Sequence, residues 1–237
     1  MSGFTSTYLR REGLSNQKNM RLRDWITKKF YRRKSFFDPT QNYSELPQKL
    51  IRKFHGKQIL NIGAGKEILG EEVITLDRFE PANISADAML LPVRSTSIDL
   101  ILCIAVLEHL KEPALAVNEI ERILRKGGEV YIEIPFLQPF HGSPHDYYRA
   151  TLSGLKHWCR NFKELESGVC VGPGSAVAWL EIEYIRLWFG KIPVVGLLVE
   201  LLFRAWSLPL KYLDKLIIGK SEAHIAASAL YFYGKKI

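Results

Sequence analysis

Three groups of residues in this 237-residue chain have types and spacing that could do chemistry. The first is the turn Asn61-Ile62-Gly63-Ala64-Gly65. It follows a short apolar run, and its glycines let backbone approach a ligand closely. Open α/β sheets bind ligands at such strand ends. A Gly-x-Gly pair alone is common to many turns. The second is Asp77, which ends the next apolar run fourteen residues beyond Gly63. An acid there can accept two hydrogen bonds from a ribose diol; a surface Asp capping a loop is the alternative. The third is Pro139-Phe140-His141-Gly142-Ser143-Pro144-His145-Asp146-Tyr147-Tyr148-Arg149-Ala150-Thr151. Imidazoles can take a proton near neutral pH, so His145 and His141 are candidate general bases. Asp146 is the carboxylate that would orient a neighbouring imidazole. The alternative is a hydrogen-bonded loop that positions a helix, with Thr151 as its N-cap.

Positioning these groups requires alternating strands and helices. Apolar runs at 58–62, 73–76 and 98–104 read as strands, the first entering the glycine turn. A helix is expected from about 113 to 125, with Val117, Ile120 and Leu124 on its buried stripe. Pro113 near its start and Gly127-Gly128 at its end punctuate it. Residues 129–134 read as a strand closed by Pro135. Residues 151–161 look helical, 162–171 read as a strand, and 224–234 as a final strand. About fifty residues rich in Leu, Ile, Val and Trp lie between those last two strands. Pro193, Gly196 and Pro209 interrupt them, which predicts two or three helices. Alternation of this kind implies a parallel sheet with helices on both faces.

Five signals occur in order: the glycine turn, Asp77, Ala86-Asp87-Ala88, Val106-Leu107-Glu108-His109-Leu110 after the 98–104 strand, and Gly127-Gly128 before a strand. In that order, over residues 58–162, the chain resembles the class I S-adenosylmethionine-dependent methyltransferases, in their type 11 small-molecule branch. The resemblance implies a Rossmann-like, doubly wound, mostly parallel sheet of order 3-2-1-4-5-7-6. Its last strand is antiparallel, and a helical insert precedes that strand. It implies S-adenosyl-L-methionine as cofactor, with Gly63 and Gly65 at the methionine part and Asp77 at the ribose. Asp87 and the Ala88 backbone would serve the adenine. Asn61, Arg78, Ala105 and His109 complete the expected cofactor-binding set. The patch from Pro139 to Thr151 is similar to that of methyltransferases found with glycan and glycolipid biosynthesis. Two departures stand out: Asn61 occupies a position commonly held by an acid, and Lys66-Glu67 replace a third glycine.

Composition sets the wider frame. With 47% hydrophobic and 24% charged residues the chain is globular rather than disordered. Residues 1–57 hold 14 Lys/Arg against 4 Asp/Glu, while the remainder is close to neutral. Within them, 19–34 reads as a basic amphipathic helix suited to an anionic membrane surface. Three domains are expected: a basic arm (1–57), a methyltransferase core (58–174 plus 223–237) and an apolar helical insert (175–222). The insert reads as a lid, a homodimer face or a membrane-associating patch. The longest apolar run, 192–203, is too short to span a bilayer. Cys103, Cys159 and Cys170 show neither CxxC nor zinc spacing, so no metal is expected and reduced, buried thiols are. The N-terminus lacks the apolar segment of a secretory signal. A cytoplasmic protein, peripheral at the inner membrane face, follows. Its expected partner is a small-molecule, glycan or lipid-linked acceptor.

An RNA methyltransferase could use the basic arm for phosphates. Yet no stacking module is evident, and Cys103-Ile104-Ala105-Val106 stands where an amine-methylating Asn-Pro-Pro-Tyr-like tetrad would be. A non-catalytic S-adenosylmethionine-binding protein rests on Asn61 alone.

Overall fold

The computed structural model describes residues 38–142 and 145–237. The basic stripe at 19–34 lies outside the described residues. Seven described strands form one sheet: β1 (Ile59–Ile62), β2 (Val73–Asp77), β3 (Ile84–Ser85), β4 (Ile98–Ile104), β5 (Leu124–Pro135), β6 (Phe162–Val171) and β7 (Ala229–Lys236). Their order is β3-β2-β1-β4-β5-β7-β6. Strands β1 to β5 pair in parallel, and β7 runs antiparallel between β5 and β6. This is the Rossmann-like order expected from the sequence. The helices are α1 (Leu46–Lys53), α2 (Pro113–Ile123), α3 (Leu152–Trp158), α4 (Pro173–Phe189) and α5 (Pro193–Ile217).

The central strands are apolar on both faces because both faces are covered. Along β4, Leu100 and Leu102 join Leu50, Ile51 and Phe54 of the α1 side. Ile101 and Cys103 point the other way, onto Val117, Ile120 and Ile123 of α2. Two-residue alternation thus fastens helices to both sides and leaves the strand ends free to build a site.

Three sequence expectations need correction. The α2 helix ends at Ile123 instead of running on to 125, because Leu124 turns extended and pairs with Ile98. Strand β5 therefore already contains Gly127 and Gly128. Gly127 has φ +79°, and a Cβ on Gly128 would lie 2.9 Å from the Arg125 carbonyl oxygen. The last strand begins at Ala229, since residues Ser221–Ile225 form a 3₁₀ turn. Pro209 does not break α5; it sits on the exposed side of the 25-residue helix.

Helix α5 packs on α4 with its own polarity reversed, whereas α4 buries Ala176, Ala178, Ile182 and Ile185. Arg204, Ser207, Lys211 and Asp214, spaced at helical intervals on α5, are at most 5% exposed. Leu202 (66%), Trp206 (75%) and Leu216 (75%) face outward. On α4, Leu187 and Trp188 are likewise exposed, at 84% and 66%. The inner seam is held by polar bonds. Arg186 of α4 and Arg204 both donate to Glu200, at 2.9 and 3.0 Å. No described helix is long and apolar enough to cross a membrane.

Candidate functional site

The glycine turn leaves β1 in a conformation that demands glycine. Gly63 and Gly65 have φ of +66° and +57°. A Cβ on Gly63 would stand 2.3 Å from a methyl of Val106, which follows β4. The turn therefore needs glycine for both its torsions and its close packing. Beside it lies a cavity lined by Asn61, Gly63, Ala64, Gly65, Glu67, Leu69 and Ile104. Asn61 is buried, with 4% exposure, so its amide is held at that wall.

Asp77 anchors the turn. Its carboxylate accepts the Gly65 N–H at 2.9 Å and the Phe79 and Glu80 N–H groups at 2.8 and 2.9 Å. Burial works to raise this carboxyl, but the three N–H donors outweigh it and hold it below the usual range. A carboxylate has about four lone-pair sites, so Asp77 keeps accepting capacity beyond these three bonds. Arg78 forms an ion pair with Asp87, whose other oxygen accepts the Met89 N–H at 2.9 Å. Arg78 thus positions Asp87 at the rim. Ala88 beside it is buried. Ala105, at the end of β4, has φ +54°, a left-handed backbone uncommon for a non-glycine residue. Such strain persists where surrounding structure over-determines it, commonly around sites.

The histidine patch is split by the fold. His141 is buried, with 5% exposure, whereas His145 is exposed and its ring packs against Tyr147 at 5.3 Å. Asp146 orients the patch differently from expectation. It accepts the backbone N–H of His141 at 2.7 Å and pairs with Arg149, while the His141 Nδ1 lies 3.8 Å away. Burial raises the Asp146 carboxyl, and these bonds reverse that, so it sits below the ordinary carboxylate range. The His145 carbonyl is 2.6 Å from His109 Nδ1, and the Tyr147 N–H donates to the Glu108 carbonyl at 2.7 Å. The loop after β5 is thereby tied to the segment after β4. Trp179 of α4 stacks on His141 with ring centres 6.0 Å apart, so the apolar helix pair abuts the patch.

Sequence reasoning passed over Glu108 as a functional acid. The fold buries it completely and brings it to His109 and His141, with each Nε2 3.6 Å from Oε1. The available signal was a carboxylate inside the apolar run Ala105-Val106-Leu107, next to a histidine.

The site's chemistry fits S-adenosylmethionine. Two left-handed glycines and a buried amide line a cavity, and two acids, Asp77 and Asp87, stand at successive strand ends. Gly63, Gly65 and Asn61 would hold the methionine part, Asp77 the ribose, and Asp87 with Ala88 the adenine.

Residues 60–132 match the family model described as a methyltransferase domain. The tRNA U34 carboxymethyltransferase of Campylobacter fetus subsp. fetus (strain 82-40) is 31% identical over 84 residues, which are 31% of this chain and 30% of that protein. The chain thus matches about a third of the length of its curated relatives. An S-adenosylmethionine-dependent methyltransferase from Mesorhizobium loti superposes with a TM-score of 0.49 at 13% identity, over 80% of this chain and 95% of that one. Phosphoethanolamine N-methyltransferase 2 of Haemonchus contortus, in complex with S-adenosyl-L-methionine, gives 0.47 at 16% identity, over 90% and 59%. Over residues 60–132 the chain is similar to the methyltransferase-domain family, and its sheet order and glycine turn accord with an S-adenosylmethionine-dependent methyltransferase fold.

Proposed function

We propose that the enzyme methylates an acceptor presented at a membrane surface, a lipid-linked or glycan-like molecule. The observation that carries this reading is the reversed polarity of α5, together with the exposed Leu187 and Trp188 of α4. Exposed apolar patches of this extent mark interaction surfaces, and aromatic residues such as Trp188 and Trp206 suit the headgroup boundary. The basic excess of residues 1–57 supplies attraction to anionic lipid. The stacking of Trp179 on His141 joins that surface to the polar patch.

When bound, the cofactor supplies a methyl group on a sulfonium. An acceptor lone pair forms the new bond to carbon as the C–S bond breaks, and the electron pair stays on sulfur. The chain's task is to align the acceptor and exclude water, which can supply roughly 7–11 kcal/mol. A hydroxyl acceptor must also lose a proton, and His141, His145 and His109 are the imidazoles at hand. Asp146 and Arg149 fix the loop that carries two of them.

A second reading is favoured by the tRNA-modifying enzymes among the relatives: an RNA acceptor held by the basic arm. Co-sedimentation with phosphatidylglycerol vesicles, beside tRNA binding over a salt series, separates the two. Vesicle binding that Trp206→Glu and Leu202→Glu abolish supports the membrane reading. Absent vesicle binding at low salt, with tRNA binding that falls steeply with salt, would replace it.

A further inference from the structure

Three hydrogen-bond acceptors converge behind β4 and β5. Glu108 is 0% exposed, and neither carboxylate oxygen has a hydrogen-bond partner among the described residues. The same holds for Nε2 of His109. The ligand atoms of Glu108, His109 and His141 all lie within 4.8 Å of one another. An isolated buried carboxylate is strongly unfavourable, so it must neutralise, pair or hold a metal.

The tautomers decide what can neutralise it. His109 Nδ1 is 2.6 Å from the His145 carbonyl oxygen, so it must carry the proton and donate. His141 Nδ1 is 3.1 Å from the Pro139 carbonyl. Arg149 Nη2 also approaches that Nδ1, but its two hydrogens are committed to Pro139 O at 2.9 Å and Asp146 Oδ2 at 2.6 Å. Nδ1 of His141 is therefore a donor as well. Both Nε2 atoms then present lone pairs toward a carboxylate. Fixing Nδ1–H on a backbone carbonyl is the usual way a metal-binding imidazole is oriented.

The spacing agrees. A proton shared between carboxylate and imidazole would draw the pair to about 2.7–2.9 Å, yet both separations are 3.6 Å. Two donors about 2.1 Å from one ion stand that far apart when they subtend roughly 120°, within the range of a tetrahedral or trigonal site.

We propose that Glu108, His109 and His141 form a divalent-cation site of zinc type. Two imidazoles and one carboxylate suit a first-row transition metal, and three protein ligands leave a place for an exogenous oxygen. There the ion would take an acceptor hydroxyl and favour loss of its proton to solvent water, leaving oxygen as the nucleophile. That role, though not the site, rests on the methyl-transfer reading above.

The test is titration of chelator-stripped full-length protein with Co²⁺, read by its visible absorption, and with Zn²⁺, read by calorimetry. One equivalent of each should bind. Glu108→Gln and His141→Ala should each weaken binding by more than the roughly 10–100-fold that an outer-shell partner is worth. Cys103→Ser should leave it unchanged. Because Glu108 is buried, His109→Asn serves as the second ligand variant, with circular dichroism as the folding control. Wild-type protein that binds no cation, or binding that survives all three ligand substitutions in folded protein, overturns the site. S-adenosylmethionine binding is measured separately on the stripped protein, so loss of the cofactor reading registers independently of loss of the metal.

Discussion

Asp214, near the end of α5, caps the start of α4 through Ser175: its Oδ2 accepts the Ser175 N–H at 2.9 Å and the Ser175 hydroxyl at 2.7 Å. Its other oxygen takes the Gly174 N–H at 2.6 Å. One side chain satisfies two of the donors that a helix start leaves unpaired. Asp214→Ala strands three donors, two of them on a fully buried residue, and is expected to lower unfolding stability by roughly 3 kcal/mol. Ser175→Ala removes the hydroxyl's bond to Asp214 and the one it accepts from the Gln41 N–H at 3.2 Å, and should lower it by about 1–2 kcal/mol. Urea denaturation checks both, and a smaller effect for Asp214→Ala than for Ser175→Ala would contradict the capping role.

Gly63→Ala should abolish measurable cofactor binding in calorimetry. A left-handed alanine costs about 1–2 kcal/mol, and its Cβ would meet Val106 at 2.3 Å, which shifts the turn. Asp77→Ala should weaken S-adenosylmethionine binding on the order of 10- to 100-fold, the value of losing one or two hydrogen bonds to a charged acceptor.

Acid should destabilise the fold through Asp77 and Asp146. Both carboxyls are held below their ordinary range in the folded chain. A depressed acid contributes stability above its unfolded pKa, about 3.9, and loses that contribution as pH falls through the folded value. Urea midpoints should be level from pH 7 to 5 and fall below about pH 4. Asp146→Asn should flatten part of that fall.

The three cysteines should be silent to a thiol reagent at pH 8 in native protein and react in full once unfolded. All are free and buried. Burial pushes the Cys159 thiol up to about 12, and those of Cys103 and Cys170 also well above normal. Thiolate is the reactive form. Any fast-reacting native thiol would show that β4, β6 or the end of α3 is open.

Strands β1, β2 and β4 were legible to within a residue because each is a mostly apolar run ending at a turn or loop, and β6, though it carries Lys163, Glu164 and Glu166, is bracketed by Asn161 and Gly172-Pro173. The α2–β5 boundary was not. Arg125-Lys126 extend a helical charge pattern, and the pairing of Leu124 with Ile98 is a tertiary contact that no local pattern announces. The break expected at Pro209 failed for a similar reason, since its ring faces outward from a helix held elsewhere by its buried polar stripe. In the site, the glycine turn and Asp77 could be read locally. The convergence of Glu108 with His141 could not, because it joins the ends of two strands through a loop.

The inverted faces of α5 turn the usual pattern of mutational tolerance over. On an ordinary surface helix, the outward positions drift among polar residues and the inward ones among apolar residues. Here Leu202, Trp206, Leu213 and Leu216 can exchange among apolar residues without touching the fold. Arg204, Lys211 and Asp214 hold Glu200, the Asp38 carbonyl and the start of α4, and an apolar substitute at any of them would leave those partners unpaired. In any set of related sequences, the variable positions of this helix would be the greasy ones and the fixed positions the charged ones.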